Sequence, residues 1–107
     1  MTVQYVKQND TSRAVQDTLT LNGAPINLTG ATVTFKMRLV SGGMALVKTA
    51  AVVGDPTLGV VQYSFVGTDL ANPGSYYVEW LITFADGHLL TVPDDSYAQI
   101  NVIAQVG

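Results

Sequence analysis

The sequence predicts an all-β domain, a sandwich or barrel of short strands. Two segments alternate apolar and polar residues at period two, turn-forming residues recur about every ten positions, and no window holds a convincing helical period.

Val3 to Lys7 reads as the first strand, closed by Asn9-Asp10, and Val15 to Leu21 as the second, ending at Asn22-Gly23-Ala24-Pro25. The clearest strand spans 31–39. There Val33, Phe35, Met37 and Leu39 face a core, while Thr32, Thr34, Lys36 and Arg38 face out. Ser41-Gly42-Gly43 separates it from Ala45 to Val53. A 3.6-residue period also fits that segment, but less well, because Val47, Thr49, Val52 and Val53 are β-branched.

After Gly54-Asp55-Pro56, Leu58 to Val66 reads as a strand, and helix is confined to a single turn near Thr68 to Ala71. Asn72-Pro73-Gly74 introduces the second alternation, in which Tyr76, Val78, Trp80, Ile82 and Phe84 share one face. The other face holds Tyr77, Glu79, Leu81 and Thr83, so this strand is central in its sheet, with Trp80 at the heart of the core. Asp86-Gly87 is the best hairpin signal and leads into His88 to Val92. Pro93-Asp94-Asp95 ends that strand, and Ala98 to Ala104 is the last.

Asp69 followed by Pro73-Gly74-Ser75-Tyr76 sharpens the sandwich to an immunoglobulin-like one. In such domains a tyrosine opening the penultimate strand sends its hydroxyl back to nearby backbone and pins the corner. Tyr76 is the candidate; Tyr77, its rival, points to the opposite face. The fold class expected is therefore an immunoglobulin-like β-sandwich of about seven to eight antiparallel strands.

A chain of 107 residues is expected to be one domain, 1–107. It has no cysteine and one histidine, so the core must hold without a disulfide and its redox compartment is unconstrained. Charged residues make up 12% of the chain, about half the usual share, which leaves a rather apolar surface suited to partners. The five basic residues, Lys7, Arg13, Lys36, Arg38 and Lys48, are scattered and the net charge is −3, which argues against nucleic acid. The first residues lack a secretory pattern and no apolar run approaches a membrane span, so the expectation is a soluble chain made in the cytoplasm. The sequon-like Asn27-Leu28-Thr29 then carries no weight.

Candidate chemistry is sparse, and no catalytic, cofactor-binding or metal residue is expected. Asp94 and Asp95 are adjacent, so in extended chain they diverge; after Pro93 they are turn formers rather than paired catalytic carboxylates. His88 could act as a general base only beside a nucleophile, and none is identifiable. Asp86, Asp94, Asp95 and Asn101 do not follow calcium-loop spacing, and one histidine without cysteine makes a poor zinc site. Gly42-Gly43 lacks the strand, helix and lysine of a phosphate loop, leaving it a turn or a contact loop. Of Tyr5, Tyr63, Phe65, Tyr76, Tyr77, Trp80, Phe84 and Tyr97, most are expected in the core, with Tyr77 kept as a surface contact.

Three ordered phrases carry a resemblance. They are Val6-Lys7-Gln8-Asn9-Asp10-Thr11, with a turn at Asn-Asp-Thr; the stretch from Gly23-Ala24-Pro25 to Lys36-Met37-Arg38; and Gly74-Ser75-Tyr76-Tyr77-Val78-Glu79-Trp80, leading to Phe84-Ala85-Asp86-Gly87 and Leu90-Thr91-Val92-Pro93. Together they resemble the N-terminal domain of phage baseplate upper proteins and related immunoglobulin-like domains of phage structural proteins; 40–57 matches least. The resemblance implies a β-sandwich that docks on a virion, as a homo-oligomer, among other virion proteins. Longer relatives carry further modules, whereas this sequence ends at Ile103-Ala104-Gln105-Val106-Gly107. Capsid decoration, a head-fibre or neck position, or a short spacer are therefore the alternatives to a tail or baseplate part. The remaining reading is a carbohydrate- or receptor-binding module using Tyr77 and the loops around Gly42 and His88.

Overall fold

The computed structural model describes residues 3–10, 12, 14–43, 45–92 and 98–105. Its strands are β1 (Val3–Lys7), β2 (Ala14–Thr18), β3 (Thr20–Leu21), β4 (Ala24–Pro25), β5 (Thr32–Leu39), β6 (Leu46–Val52), β7 (Val60–Ser64), β8 (Gly74–Thr83), β9 (Leu89–Val92) and β10 (Ala98–Ile103). The large sheet runs β1-β10-β8-β5-β6, with β9 also on β8; the small one is β6-β7-β2. β6 belongs to both, since 46–50 pair with β5 and 51–52 with β7. Strand β9 pairs with residues 80–83 of β8, and β10 with 74–78, so the two lie end to end along one side of it.

The alternation read from the sequence is the alternation of burial. Val33, Phe35 and Met37 of β5, and Tyr76, Val78, Trp80 and Ile82 of β8, are buried, while Leu39 and Phe84 at the strand ends are only partly covered. Val15, Val61, Tyr63 and Phe65 close the core from the small sheet. Phe35 stands opposite Trp80 in the β5–β8 register. Its ring meets Trp80 at 5.1 Å, Tyr63 at 4.7 Å and nearly parallel, and Phe65 at 6.2 Å edge-on. Such clusters add to area burial because the ring quadrupoles are complementary. The core is thus centred on Phe35 and Trp80 together.

Four details depart from expectation. β1 pairs parallel with β10, whereas the other described pairs are antiparallel; chain ends far apart in sequence have no hairpin to impose direction. The strand expected over 15–21 breaks at buried Leu19, whose N–H donates to Gly59 O (2.8 Å) and whose carbonyl accepts from Ile26 (2.9 Å). Beyond it β3 and β4 form a small hairpin through Asn22 (φ 55°) and Gly23 (φ 81°), both in the left-handed region that a tight primed turn requires.

The strand expected from Leu58 starts later, because Pro56–Leu58 is a 3₁₀ turn. Asp55 caps it, its Oδ1 accepting from Thr57 N (2.9 Å) and Thr57 Oγ1 (2.8 Å), and Pro56 supplies the helical φ at N1. The helical turn expected near Thr68 is a plain turn, closed by Ala71 N donating to Thr68 O (3.0 Å). The expectations for Thr11, Arg13, Pro93-Asp94-Asp95 and Tyr97 lie outside the described residues.

Candidate functional site

The sandwich has a corner end, with the 65–73 loop and the top of β8, and a hairpin end, with the β8–β9 turn and the 3₁₀ turn. At the corner end the Tyr76 hydroxyl donates to Asn72 O at 2.6 Å, the tyrosine corner anticipated from the sequence. Burial pushes the Tyr76 hydroxyl above the ordinary tyrosine value, so it stays a donor. Tyr77 points to the outer face and is half-buried.

A second tyrosine holds the same loop, and sequence reasoning did not single it out. Tyr63 donates to Asp69 Oδ2, which also accepts from Val66 N (3.0 Å). Burial first, then Asp69's acceptance of the proton and its charge, raise the Tyr63 hydroxyl well above its usual range. Gln8 Nε2 adds a bond to Ala71 O (2.7 Å), and Asn9 N one to Leu70 O (3.0 Å). The signal was present as Tyr63 and Asp69 flanking Gly67-Thr68, but register alone does not reveal a bond across a loop.

An opening of about 250 Å³ beside this loop is lined by Met37, Leu39, Leu46, Asp69, Asn72 and Tyr76, among others. Asp69 is taken up by Tyr63 and the Val66 N–H, and the Tyr76 hydroxyl by the Asn72 carbonyl, so few polar groups are left to orient a ligand. A smaller one of about 120 Å³ lies on the outer face of the large sheet, lined by Lys36, Met37, Arg38, Ala45, Tyr77 and Glu79. Both fall short of the roughly 300 Å³ at which small-molecule pockets begin.

At the hairpin end, Phe84 N donates to His88 O (2.8 Å) around Asp86-Gly87, as that dipeptide predicted. His88 Nδ1 lies 2.8 Å from Asp86 Oδ2, and His88 N donates to Asp86 Oδ1 (3.0 Å). These bonds from His88, backbone first, hold the Asp86 carboxyl below the ordinary value. The two side chains are 82% and 66% exposed, so water screens the pair and the arrangement serves the turn.

Gly42 and Gly43 adopt φ 105° and 118° in an exposed turn closed by Gly42 N to Leu39 O (2.9 Å), without a following helix. Asn27 Oδ1 accepts from Thr29 N and Oγ1, so the sequon-like triplet is an Asx turn. Among the described residues no three His, Cys, Asp or Glu converge as a metal site, and no helix is long and apolar enough to cross a membrane. Of the aromatics weighed as a binding platform, Tyr63, Phe65, Tyr76 and Trp80 are buried, while Tyr5 is 60% exposed.

Asp17 was not anticipated. It sits on β2 opposite buried Val61, on the same face as Val15, and burial raises its carboxyl above the ordinary value. The Thr18 N–H (2.9 Å) and the Trp80 indole N–H pull the other way. The buried indole N–H makes no hydrogen bond of normal geometry, and its pull on Asp17 is the weaker of the two.

Fold, tyrosine corner and shallow concavities define an immunoglobulin-like β-sandwich that presents surfaces rather than a deep cleft. The chain belongs to the BppU N-terminal domain family, the domain of the phage baseplate upper protein, whose model matches residues 2–86. No curated protein matches the sequence. Among solved structures, the crystal structure of CopC from Methylosinus trichosporium OB3b is similar, with a TM-score of 0.57 and 13% identity. That likeness covers 100% of this chain and 89% of CopC and concerns the fold alone.

Proposed function

We propose that this chain is a non-enzymatic structural module of a phage virion, placed in the tail or baseplate region, which works through protein–protein contacts. The observation that carries the reading is the family match over residues 2–86. The physical character of the molecule supports it. Its polar side chains at the loops are spent on pinning the loops, as at Tyr63–Asp69, Tyr76–Asn72 and Asp55–Thr57. Large apolar side chains stay exposed at Tyr5, Val47, Leu89 and Ile103, as expected of a part completed by neighbours.

On this reading the whole chain, 1–107, acts as one domain, and no residue of it performs chemistry, binds a cofactor or holds a metal. It sits in the particle as an oligomer among other virion proteins. Negative-stain imaging of intact particles labelled with an antibody to this chain tests the assignment. Label at the tail or baseplate is the expected result; particles that never carry the chain would sink it.

A further inference from the structure

Two exposed hairpin turns of this chain place an amide or acid side chain directly before glycine: Asn22-Gly23 between β3 and β4, and Asp86-Gly87 between β8 and β9. Such a pair is open to self-reaction in water, because the glycine nitrogen can attack the side-chain carbonyl carbon before it and no Cβ obstructs the approach. The nitrogen must be free to lose its proton, and the carbon must be electrophilic. The two turns differ on both counts.

At Asp86-Gly87 the Gly87 N–H is committed to Phe84 O (2.9 Å). His88 holds both carboxyl oxygens of Asp86 and favours the ionised form, and a carboxylate is a poor electrophile. At Asn22-Gly23 the side chain is an uncharged amide, and among the described residues neither it nor the Gly23 N–H has a hydrogen-bond partner. A Cβ at Gly23 would meet nothing within 4 Å, so the approach is open. Asn22 already has φ 55°, the positive value that both primed turns require of their first central residue. Those turns differ by a rotation of the peptide between the central residues, and Gly23 permits it. The same rotation turns the face of the nitrogen toward Cγ.

The other asparagines lack a free nitrogen. Asp10 N, after Asn9, donates to Lys7 O (3.3 Å), and Leu28 N, after Asn27, to Pro56 O (2.9 Å). Pro73, after Asn72, has no N–H, and Val102, after Asn101, lies within β10 between β1 and β8.

We propose that Asn22 is a self-modification site, at which Gly23 N gives its proton to solvent and bonds to Asn22 Cγ. The side-chain nitrogen takes up a proton and leaves as ammonia, and water opens the resulting cyclic imide. Opening at the bond to Cγ leaves aspartate; opening at the main-chain carbonyl leaves isoaspartate, with the backbone running through Cβ and Cγ. Either product adds a negative charge to a chain of net charge −3. Aspartate before glycine still suits a primed turn. Isoaspartate adds a backbone atom to a two-residue turn closed by the Leu21–Ala24 pair, and so loosens it. This chemistry is independent of any place in a virion.

The natural chain, held folded in mildly alkaline buffer, is followed by ion exchange and by peptide mass mapping with fragmentation that tells isoaspartate from aspartate. A growing acidic species is expected, with the amide-to-acid mass change at Asn22 as both isomers, while Asn9, Asn27, Asn72, Asn101 and Asp86 stay unchanged. Asn22 that stays intact, that is outrun by any of those residues, or that converts only when urea unfolds the chain overturns the proposal. Asn22→Gly, which a primed turn also accepts, is expected to form no acidic species; one that ages like the natural chain overturns it too. Asn22→Asp carries the charge without the backbone change, so it is expected to melt with the fresh natural chain, and the aged chain below both in proportion to its isoaspartate. An isoaspartate-rich chain that melts with Asn22→Asp overturns the loosening of the turn.

Discussion

The two ends of the sandwich are closed by different means. At the corner end, side-chain hydroxyls do it: Tyr76 reaches Asn72 O, and Tyr63 reaches Asp69. At the hairpin end backbone meets backbone, with Leu19 N on Gly59 O (2.8 Å), Ile26 N on Leu19 O (2.9 Å) and Leu28 N on Pro56 O (2.9 Å). A hydroxyl can be removed and leave the chain path intact, because the ring still fills its place. A backbone crossing tolerates no added atom, so the second end is the more brittle.

Gly59→Ala is the largest expected effect. Gly59 has φ +70°, and a Cβ there would lie 2.7 Å from Leu19 O and 3.1 Å from Ile26 N and O, which are backbone and cannot step aside. Left-handed strain plus that clash should cost about 3 kcal/mol or more, read as a lower urea midpoint at unchanged slope. A loss under about 1 kcal/mol would show that the two chains separate easily here and would dissolve the contrast between the ends.

Tyr63→Phe should come next, at about 2 kcal/mol, because it removes a donor to a carboxylate in a half-covered site. Tyr76→Phe loses a bond to a neutral carbonyl and should cost about 1 kcal/mol. Chemical denaturation of the two variants checks the order, and a larger loss at Tyr76 would reverse the roles assigned to the two tyrosines.

The corner end was the more legible of the two for a physical reason. Tyr76 follows Pro73-Gly74 at the start of a strongly alternating strand, so local sequence alone places its hydroxyl. The β5 and β8 faces were legible likewise, since period two translates directly into burial when one face meets a core. At the hairpin end, the break at Leu19 depends on Gly59, forty positions away, and nothing near Leu19 announces it. Gly54-Asp55-Pro56 was legible as a turn, but Leu58, which closes the 3₁₀ turn, continues the apolar run of the strand that follows, so the strand was started too early. The parallel β1–β10 pairing was not legible, because alternation fixes which face a residue takes and never which strand lies alongside. Tyr77 was read onto the outer face with Glu79, where it lies, while its position opposite Arg38 emerges only when β5 and β8 are set in register.

Asp69 at the corner end and Asp17 at the hairpin end are both partly covered carboxylates, and they sharpen the comparison at its finest scale. Asp69 receives a tyrosine hydroxyl and a backbone N–H. Asp17 receives only the N–H of its own neighbour, Thr18, and a weaker pull from the Trp80 indole, so burial prevails and its carboxyl is raised. A raised carboxyl binds its proton more tightly folded than unfolded, so Asp17 detracts from stability at neutral pH, and the deficit shrinks as pH falls toward the unfolded value near 3.9. Asp55 and Asp86 act oppositely, since their lowered values mean stability lost on acidification below that range. The two effects separate in a difference experiment. Asp17→Asn should be slightly more stable than the natural chain at pH 7, with the advantage fading as pH is lowered through the acidic range. Melting temperatures of both chains across that range measure it, and a variant less stable at neutral pH would mean that the ionised carboxylate, through Thr18 and Trp80, holds the hairpin end rather than straining it.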